Sequence, residues 1–315
     1  MHMDISVLVW LGEHRTDALT KIMSVLTHAG SEIAAIAVIC LVYWCMSRRT
    51  GTRMLLTMLS GLMLNQLLKI LFVAHRPWVR SSDVKPVESA LDDATGYSFP
   101  SGHTANAAAA YGGLAHGKEA KPWVKALAWA LVLLVAFSRM YLGVHTPQDV
   151  LVSLVLSIAL IWLMDKLSAK LEEKPNLDIP VSLSILAAGA LTLAVTLLRS
   201  YPAGDSAEDI ARNTNDIFKL VGAVVGMTGG WLLERRLVRF EKPRTFLTGL
   251  IRFVLGIVLV VGILKGTKPL FVSLLGETWG GTVRYMVTCF AALYLWPLLF
   301  TALERITGKK KDEHA

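Results

Sequence analysis

Cysteine is scarce: the chain has three in 315 residues, Cys40, Cys45 and Cys289. All three fall inside apolar stretches, so they form neither a disulfide framework nor a metal site. Charged residues are thin at 18%, where an ordinary soluble domain carries about a quarter. No alternating pattern of the kind a membrane barrel needs is present. No internal repeat is evident, and no linker is long enough to separate folded domains. What the chain has instead is apolar length, with 54% hydrophobic residues and a mean hydropathy of +0.51.

A helix needs about 20 mostly apolar residues to cross the hydrocarbon of a bilayer. The sequence predicts nine such spans, over 31–47, 54–74, 102–117, 123–141, 148–165, 179–199, 216–234, 247–268 and 283–303. The fold class is therefore all-α, a polytopic membrane helix bundle. The span 102–117 is the least greasy, since Ala105 to Gly113 is a run of small residues suited to tight packing inside a bundle.

Basic residues set the orientation, because short loops rich in Lys and Arg stay cytoplasmic. One side gathers Arg48, Arg49 and Arg53, then Lys118, Lys121 and Lys125, then Lys166, Lys170 and Lys174. Arg235, Arg236, Arg239, Lys242 and Arg244 join that side, as do Arg305 and Lys309 to Lys311 at the cytoplasmic C-terminus. The opposite side holds the N-terminus, the 75–101 loop, the 142–147 turn, the 200–215 loop and the 269–282 loop. Dispersal over five loops explains most of the net charge of +8 and argues against a nucleic-acid partner.

Residues 1–30 are interrupted by Asp4, Glu13, His14, Arg15, Asp17 and Lys21, a pattern unlike that expected of a cleavable signal peptide. Leu19, Ile22, Met23, Leu26 and Ala29 sit at helical spacing and predict an amphipathic segment on the outer surface. The expected organisation is this interfacial segment, a motif-bearing core at 31–165, a cytoplasmic connection at 166–178, additional membrane helices at 179–303 and a basic tail at 304–315.

Three short motifs carry the chemistry, all on the non-cytoplasmic side. The first pairs Lys69 with Arg76-Pro77. Seven residues of helix would set both cations on one face, and Pro77 marks the helix end. They are able to grip phosphate oxygens, or simply to snorkel to the interface. The second is Pro100-Ser101-Gly102-His103. Ser101 offers a hydroxyl and an N–H, Gly102 permits close backbone approach, and a helix starting here aims its positive end at an anion. His103 is either beside that anion or a cap. The third runs Ser138-Arg139, then His145, then Asp149. Asp149 is spaced to orient His145 and raise its basicity, as a nucleophilic histidine needs, and it also suits a helix N-terminus.

These motifs resemble the signature of the type 2 phosphatidic acid phosphatase superfamily, which also includes vanadium haloperoxidases and glucose-6-phosphatase. The signature spans about 80 residues of the motif-bearing half, with every position matched. The resemblance implies a six-helix core in which His145 attacks phosphorus to form a phosphohistidine, Asp149 orients it and His103 protonates the leaving oxygen. Lys69, Arg76, Ser101, Gly102, Ser138 and Arg139 would hold the phosphate oxygens, with no metal and no cofactor.

The implied function is an integral membrane phosphatase acting at the non-cytoplasmic face on a phosphomonoester or diphosphate of a lipid, such as a polyprenyl diphosphate or phosphatidate. The alternatives are a phosphotransferase to a lipid or sugar acceptor and a sugar phosphatase, the nine-helix layout being similar to that of glucose-6-phosphatase. Membrane lipids and a phosphorylated lipid substrate are the expected partners. Gly222 and Gly226 form a small-residue pair that suits packing on the core or on a second copy, leaving a homodimer open. Arg199, Lys219, Lys265, Lys268 and Arg284 read either as snorkelling cations or as ligands for a second phosphate. Asp83, Glu88, Asp92 and Asp93 read as solvated loop residues, as part of a lid, or as charges that discourage excess anion binding.

Overall fold

A computed structural model describes residues 3–117, 120–201 and 207–312. Lys118, counted above with the basic side, lies outside the described residues, as do the side chains of Lys309, Lys310 and Lys311. The chain forms two compact units.

Unit 1 takes residues Met1–Ile39, Arg49–Ala169 and Arg199–Asn213. Its helices are α1 (Met3–Glu13), α2 (Asp17–Thr27), α3 (Glu32–Leu41), α4 (Arg48–Phe72), α5 (Pro77–Arg80), α6 (Gly102–Ala107), α7 (Gly113–Ala115), α8 (Pro122–Tyr141) and α9 (Pro147–Glu173), with the ends of α3, α4 and α9 passing into unit 2. Proline at the first position starts α5 and α8, where a missing N–H costs nothing. Along α9 the residues Leu151, Val155, Ile158 and Trp162 are exposed, whereas Ser153, Ser157 and Ile161 on the other face are buried. That division is the one a lipid-facing helix shows, apolar outward and small or polar inward.

The segment expected as the span 102–117 is short, α6 and α7 joined by a π-helical turn at Ala108–Gly112. Its small residues explain the shape. Ala107 and Ala108 are fully buried against Val132 and Val135 of α8, and a Cβ on Gly113 would stand 2.9 Å from Met54 Cγ. Larger side chains would push α4 and α8 away from it. At the far end of this packing Arg53 is buried, donating to Asp165 at 2.6 Å and to the Gly113 carbonyl at 2.9 Å. It ties α4, α7 and α9 together instead of reaching lipid headgroups.

The N-terminal segment forms α1 and α2. Met23, with Leu19 and Leu26, packs on Tyr141, Leu142 and Val144, so α2 braces the turn that leads to His145.

Unit 2 takes Cys40–Arg48, Lys170–Leu198 and Thr214–Ala315, with α10 (Asp178–Leu198), most of α11 (Ala207–Leu233), α12 (Phe246–Gly266), α13 (Lys268–Phe290) and α14 (Trp296–Asp312). A Cβ on Gly222 or Gly226 would stand 2.1 Å from the backbone oxygen of Thr282 or Met286. The glycine pair therefore seats α11 on α13 within this unit. Arg252 inside α12 is neutralised by Glu304, at 2.6 and 2.5 Å, which makes a cation within an apolar helix tolerable.

Among the described residues seven helices are long and apolar enough to cross a membrane, or eight if the pair Asp17–Gly30 and Glu32–Met46, bent by 54°, is one broken span. The protein is an integral membrane helix bundle. Residues 269–282, expected as a loop, are instead helical within α13. The interruption there is Gly276, at a φ of 77° that other residues rarely adopt.

Candidate active site

Four helix ends of unit 1 carry the three motifs. Asn65 and Lys69 lie toward the end of α4, Gly102 and His103 open α6, Arg139 stands in the last turn of α8, and Asp149 in the first turn of α9. Lys69 and Arg76 do not share a helical face. Val73, at a φ of 47°, ends the α4 region, and Arg76 is extended backbone at the N-cap of α5. A β-branched residue in left-handed conformation is rare, and here it breaks the helical path ahead of Arg76, which is buried.

Arg76 is buried and held at four points. Its guanidinium donates to the carbonyls of Gly96 at 2.9 Å, Thr95 at 2.5 Å and Val144 at 3.1 Å, and its Nη1 lies 3.1 Å from His145 Nε2. Arginine has no acceptor atom. The contact therefore requires His145 Nε2 to be the unprotonated nitrogen, and the proton sits on Nδ1, facing Asp149 Oδ2 at 3.4 Å. The same Oδ2 accepts from Ser98 Oγ at 2.6 Å and from the Thr146 N–H at 2.8 Å. Asp149 N–H donates back to Thr146 Oγ1 at 3.3 Å, closing a reciprocal cap that starts α9. Asp149 thus both orients His145 and caps its helix. Burial and the neighbouring Arg76 charge hold the His145 imidazole below its ordinary value, against the hydrogen bond to Asp149. It is a neutral imidazole with its Nε2 lone pair turned toward the cations.

Arg139 is fully buried, with Nη1 donating to Thr27 Oγ1 at 2.8 Å and Nε and Nη2 without any partner. Buried, unpaired guanidinium N–H groups are costly unless an anion receives them. His103 is nearby, its Nε2 also buried and unpartnered, and the charges of Arg139, Arg76 and Lys69 all bear on it. A Cβ on Gly102 would meet nothing within 4 Å, so the backbone beside His103 borders open space. Arg76, Arg139, Lys69, His103, Gly102 and His145 with Asp149 are therefore gathered in one place.

Two expected phosphate ligands also make local bonds. Ser101 gives its N–H to the Asp149 carbonyl at 3.1 Å, and its hydroxyl accepts from Thr104 N–H and Thr104 Oγ1 at 3.4 and 3.0 Å. It is the N-cap of α6, and it stitches the second motif to the third. Ser138 donates its hydroxyl to the Val135 carbonyl of its own helix at 2.7 Å.

Sequence reading missed Ser98, Thr27 and Asn65, whose Nδ2 donates to the Pro100 carbonyl at 3.3 Å. Ser98 is the one polar residue between Tyr97 and Phe99, and Asn65 precedes Lys69 by one helical turn. Those are the only signals. Outside Arg76 opens a cavity of about 300 Å³ lined by His75, Trp78, Tyr97, Arg212 and Asn213, among others.

This arrangement can accept a tetrahedral anion, present an imidazole nitrogen to its centre and offer a second imidazole to a departing oxygen. The model of the PAP2 superfamily matches residues 50–172, and that of the PAP2 superfamily phosphatase transmembrane extension matches residues 218–309. Among characterised proteins the chain is 31% identical over 175 residues to undecaprenyl-diphosphatase BcrC of Bacillus subtilis, covering 53% of this chain and 83% of that one. It is 29% identical over 166 residues to phosphatidylglycerophosphatase B of Bacillus subtilis, covering 49% and 77%. No solved structure matches the chain.

Proposed function

The chain belongs to the PAP2 superfamily and is a metal-independent membrane phosphatase, and from that premise we propose that it hydrolyses a lipid monophosphate or diphosphate through a phosphohistidine on His145, at the non-cytoplasmic face. The observation that carries this reading is the shared environment of His145 and Arg139. A neutral Nε2 lone pair is fixed by Asp149 on one side, and unpaired guanidinium N–H groups wait on the other.

In the proposed reaction the phosphate oxygens take the free N–H groups of Arg139 and compete for those of Arg76, which turns from His145 to the anion. His145 Nε2 is thereby released to attack phosphorus in line with the leaving oxygen. Positioning and charge stabilisation supply most of the acceleration in phosphoryl transfer. His103 gives a proton to the leaving oxygen. Water then attacks phosphorus, the P–N bond breaks, and His145 is restored.

Lipid substrates are supported by the relatives' names, one acting on an isoprenoid diphosphate and one on a glycerophospholipid phosphate. The outward site is supported by the basic residues, which collect at the other ends of the helices. Phosphate release from sealed, right-side-out membrane vesicles tests both. A polyprenyl diphosphate and a phosphatidylglycerol phosphate supplied to the outer leaflet are expected to yield free phosphate in the external medium. Turnover of neither lipid, or release only after the vesicles are opened, would contradict the proposal.

A further inference from the structure

The loop acids between the first two motifs read as ordinary solvated residues, yet one of them is placed against the site. Asp93 Oδ2 lies 3.9 Å from His103 Nε2 and 3.9 Å from His28 Nδ1. Exposure rises along this row, from 13% for the His103 side chain to 44% for Asp93 and 64% for His28. A single carboxylate therefore stands between the buried imidazole of the site and one that faces solvent.

Burial of the His103 ring, and then the charges around it, explain why a carboxylate is needed. Arg139 from α8, Lys69 from α4, Arg76 from the loop before α5 and His145 from the turn before α9 all act on it. Three of these four are fixed cations, and a protonated His103 would add another positive charge among them. An imidazolium in such company is disfavoured, whereas an acid that donates to the leaving oxygen has to start protonated. Asp93 is the carboxylate that faces His103 within ion-pair range among the described residues.

We propose that Asp93 is a positioning residue for His103, keeping it protonated for leaving-group departure. This rests on the phosphatase reading above. As the bond from phosphorus to the leaving oxygen breaks and the bond to His145 Nε2 forms, the His103 proton passes to that oxygen. When water attacks and the P–N bond breaks, the proton lost by water returns to His103. Asp93 touches neither the phosphorus nor the leaving group.

The test compares two substrates in the full-length protein, an alkyl lipid monophosphate whose leaving oxygen needs a proton and an aryl phosphate such as p-nitrophenyl phosphate whose leaving group hardly does. Asp93→Asn is expected to lower kcat/KM on the alkyl phosphate about 10- to 100-fold, a share of the usual general-acid contribution. The alkaline limb of its pH profile should move down by about one pH unit. Turnover of the aryl phosphate should stay within about twofold, since the acid contributes little there, and Asp93→Glu should restore part of the alkyl rate. Asp93 also acts on Arg139. Equal losses on both substrates would mean that it works through the cage, and no loss on either would mean that it is only a loop residue. Either result overturns the proposal. If the parent protein hydrolyses neither substrate, or His145→Ala leaves both rates intact, the phosphatase reading itself fails.

Discussion

One carboxylate oxygen, Asp149 Oδ2, faces a hydroxyl, a backbone N–H and an imidazole at once. The shortest of those contacts is with Ser98, at 2.6 Å. Removing that hydroxyl leaves Asp149 ionised but less firmly held, so the imidazole it orients gains freedom. Ser98→Ala is expected to lower kcat about tenfold, in keeping with the loss of one hydrogen bond to a charged group. Steady-state kinetics at matched detergent-solubilised protein levels would show it, and an unchanged kcat would remove Ser98 from the orienting network. Ser98 was invisible in the sequence because its partner lies 51 residues on, and Thr27 because it reaches Arg139 across 112 residues. Arg76, His145 and Asp149 were legible because the motif spacing is itself local. The second role of Ser101 was hidden for a related reason, since nothing in Pro-Ser-Gly-His says that the helix would also take its hydroxyl oxygen for a cap.

Helices with long apolar runs were legible almost to their ends. The spans expected at 123–141, 179–199 and 247–268 are Pro122–Tyr141, Asp178–Leu198 and Phe246–Gly266. Such runs are bounded by proline or charge and face lipid, so pattern and environment agree. The segment after Ser101 did not follow this rule. Its alanines and glycines are decided by what packs on them, and a helix of Ala107 to Gly113 is shaped by Met54, Trp129 and Val135. The glycine pair of α11 was read as a packing surface without α13 as its partner, because sequence cannot say which neighbouring backbone comes close. Gly226→Ala should force α11 and α13 apart, costing on the order of 1–3 kcal/mol as overpacking does. A fall in the midpoint of thermal unfolding in detergent would confirm the contact, and an unchanged midpoint would deny it.

On the scale of the whole molecule, the two units divide the work unevenly. Every signature residue falls in unit 1, where the 50–172 match also lies but for its last three positions, and the extension match at 218–309 falls in unit 2. Of the five cations that suit a second phosphate, two in unit 2 have partners of their own, Lys219 with Asp216 at 3.0 Å and Arg284 with the Leu264 carbonyl at 2.6 Å. The reaction class was legible because phosphoryl transfer demands a fixed set of groups at fixed spacing. The lipid attached to the phosphate makes no such demand on any short stretch of chain, which is why the sequence leaves its headgroup open.

The central claim is that His145 carries the phosphoryl group. Brief reaction with a substrate labelled at the scissile phosphate, followed by a quench that preserves N–P bonds, measures it directly. An acid-labile, base-stable phosphoprotein should form in the parent protein and be absent in His145→Ala, with turnover abolished in the variant. A labelled phosphoprotein that persists in His145→Ala would place the nucleophile elsewhere and contradict the account.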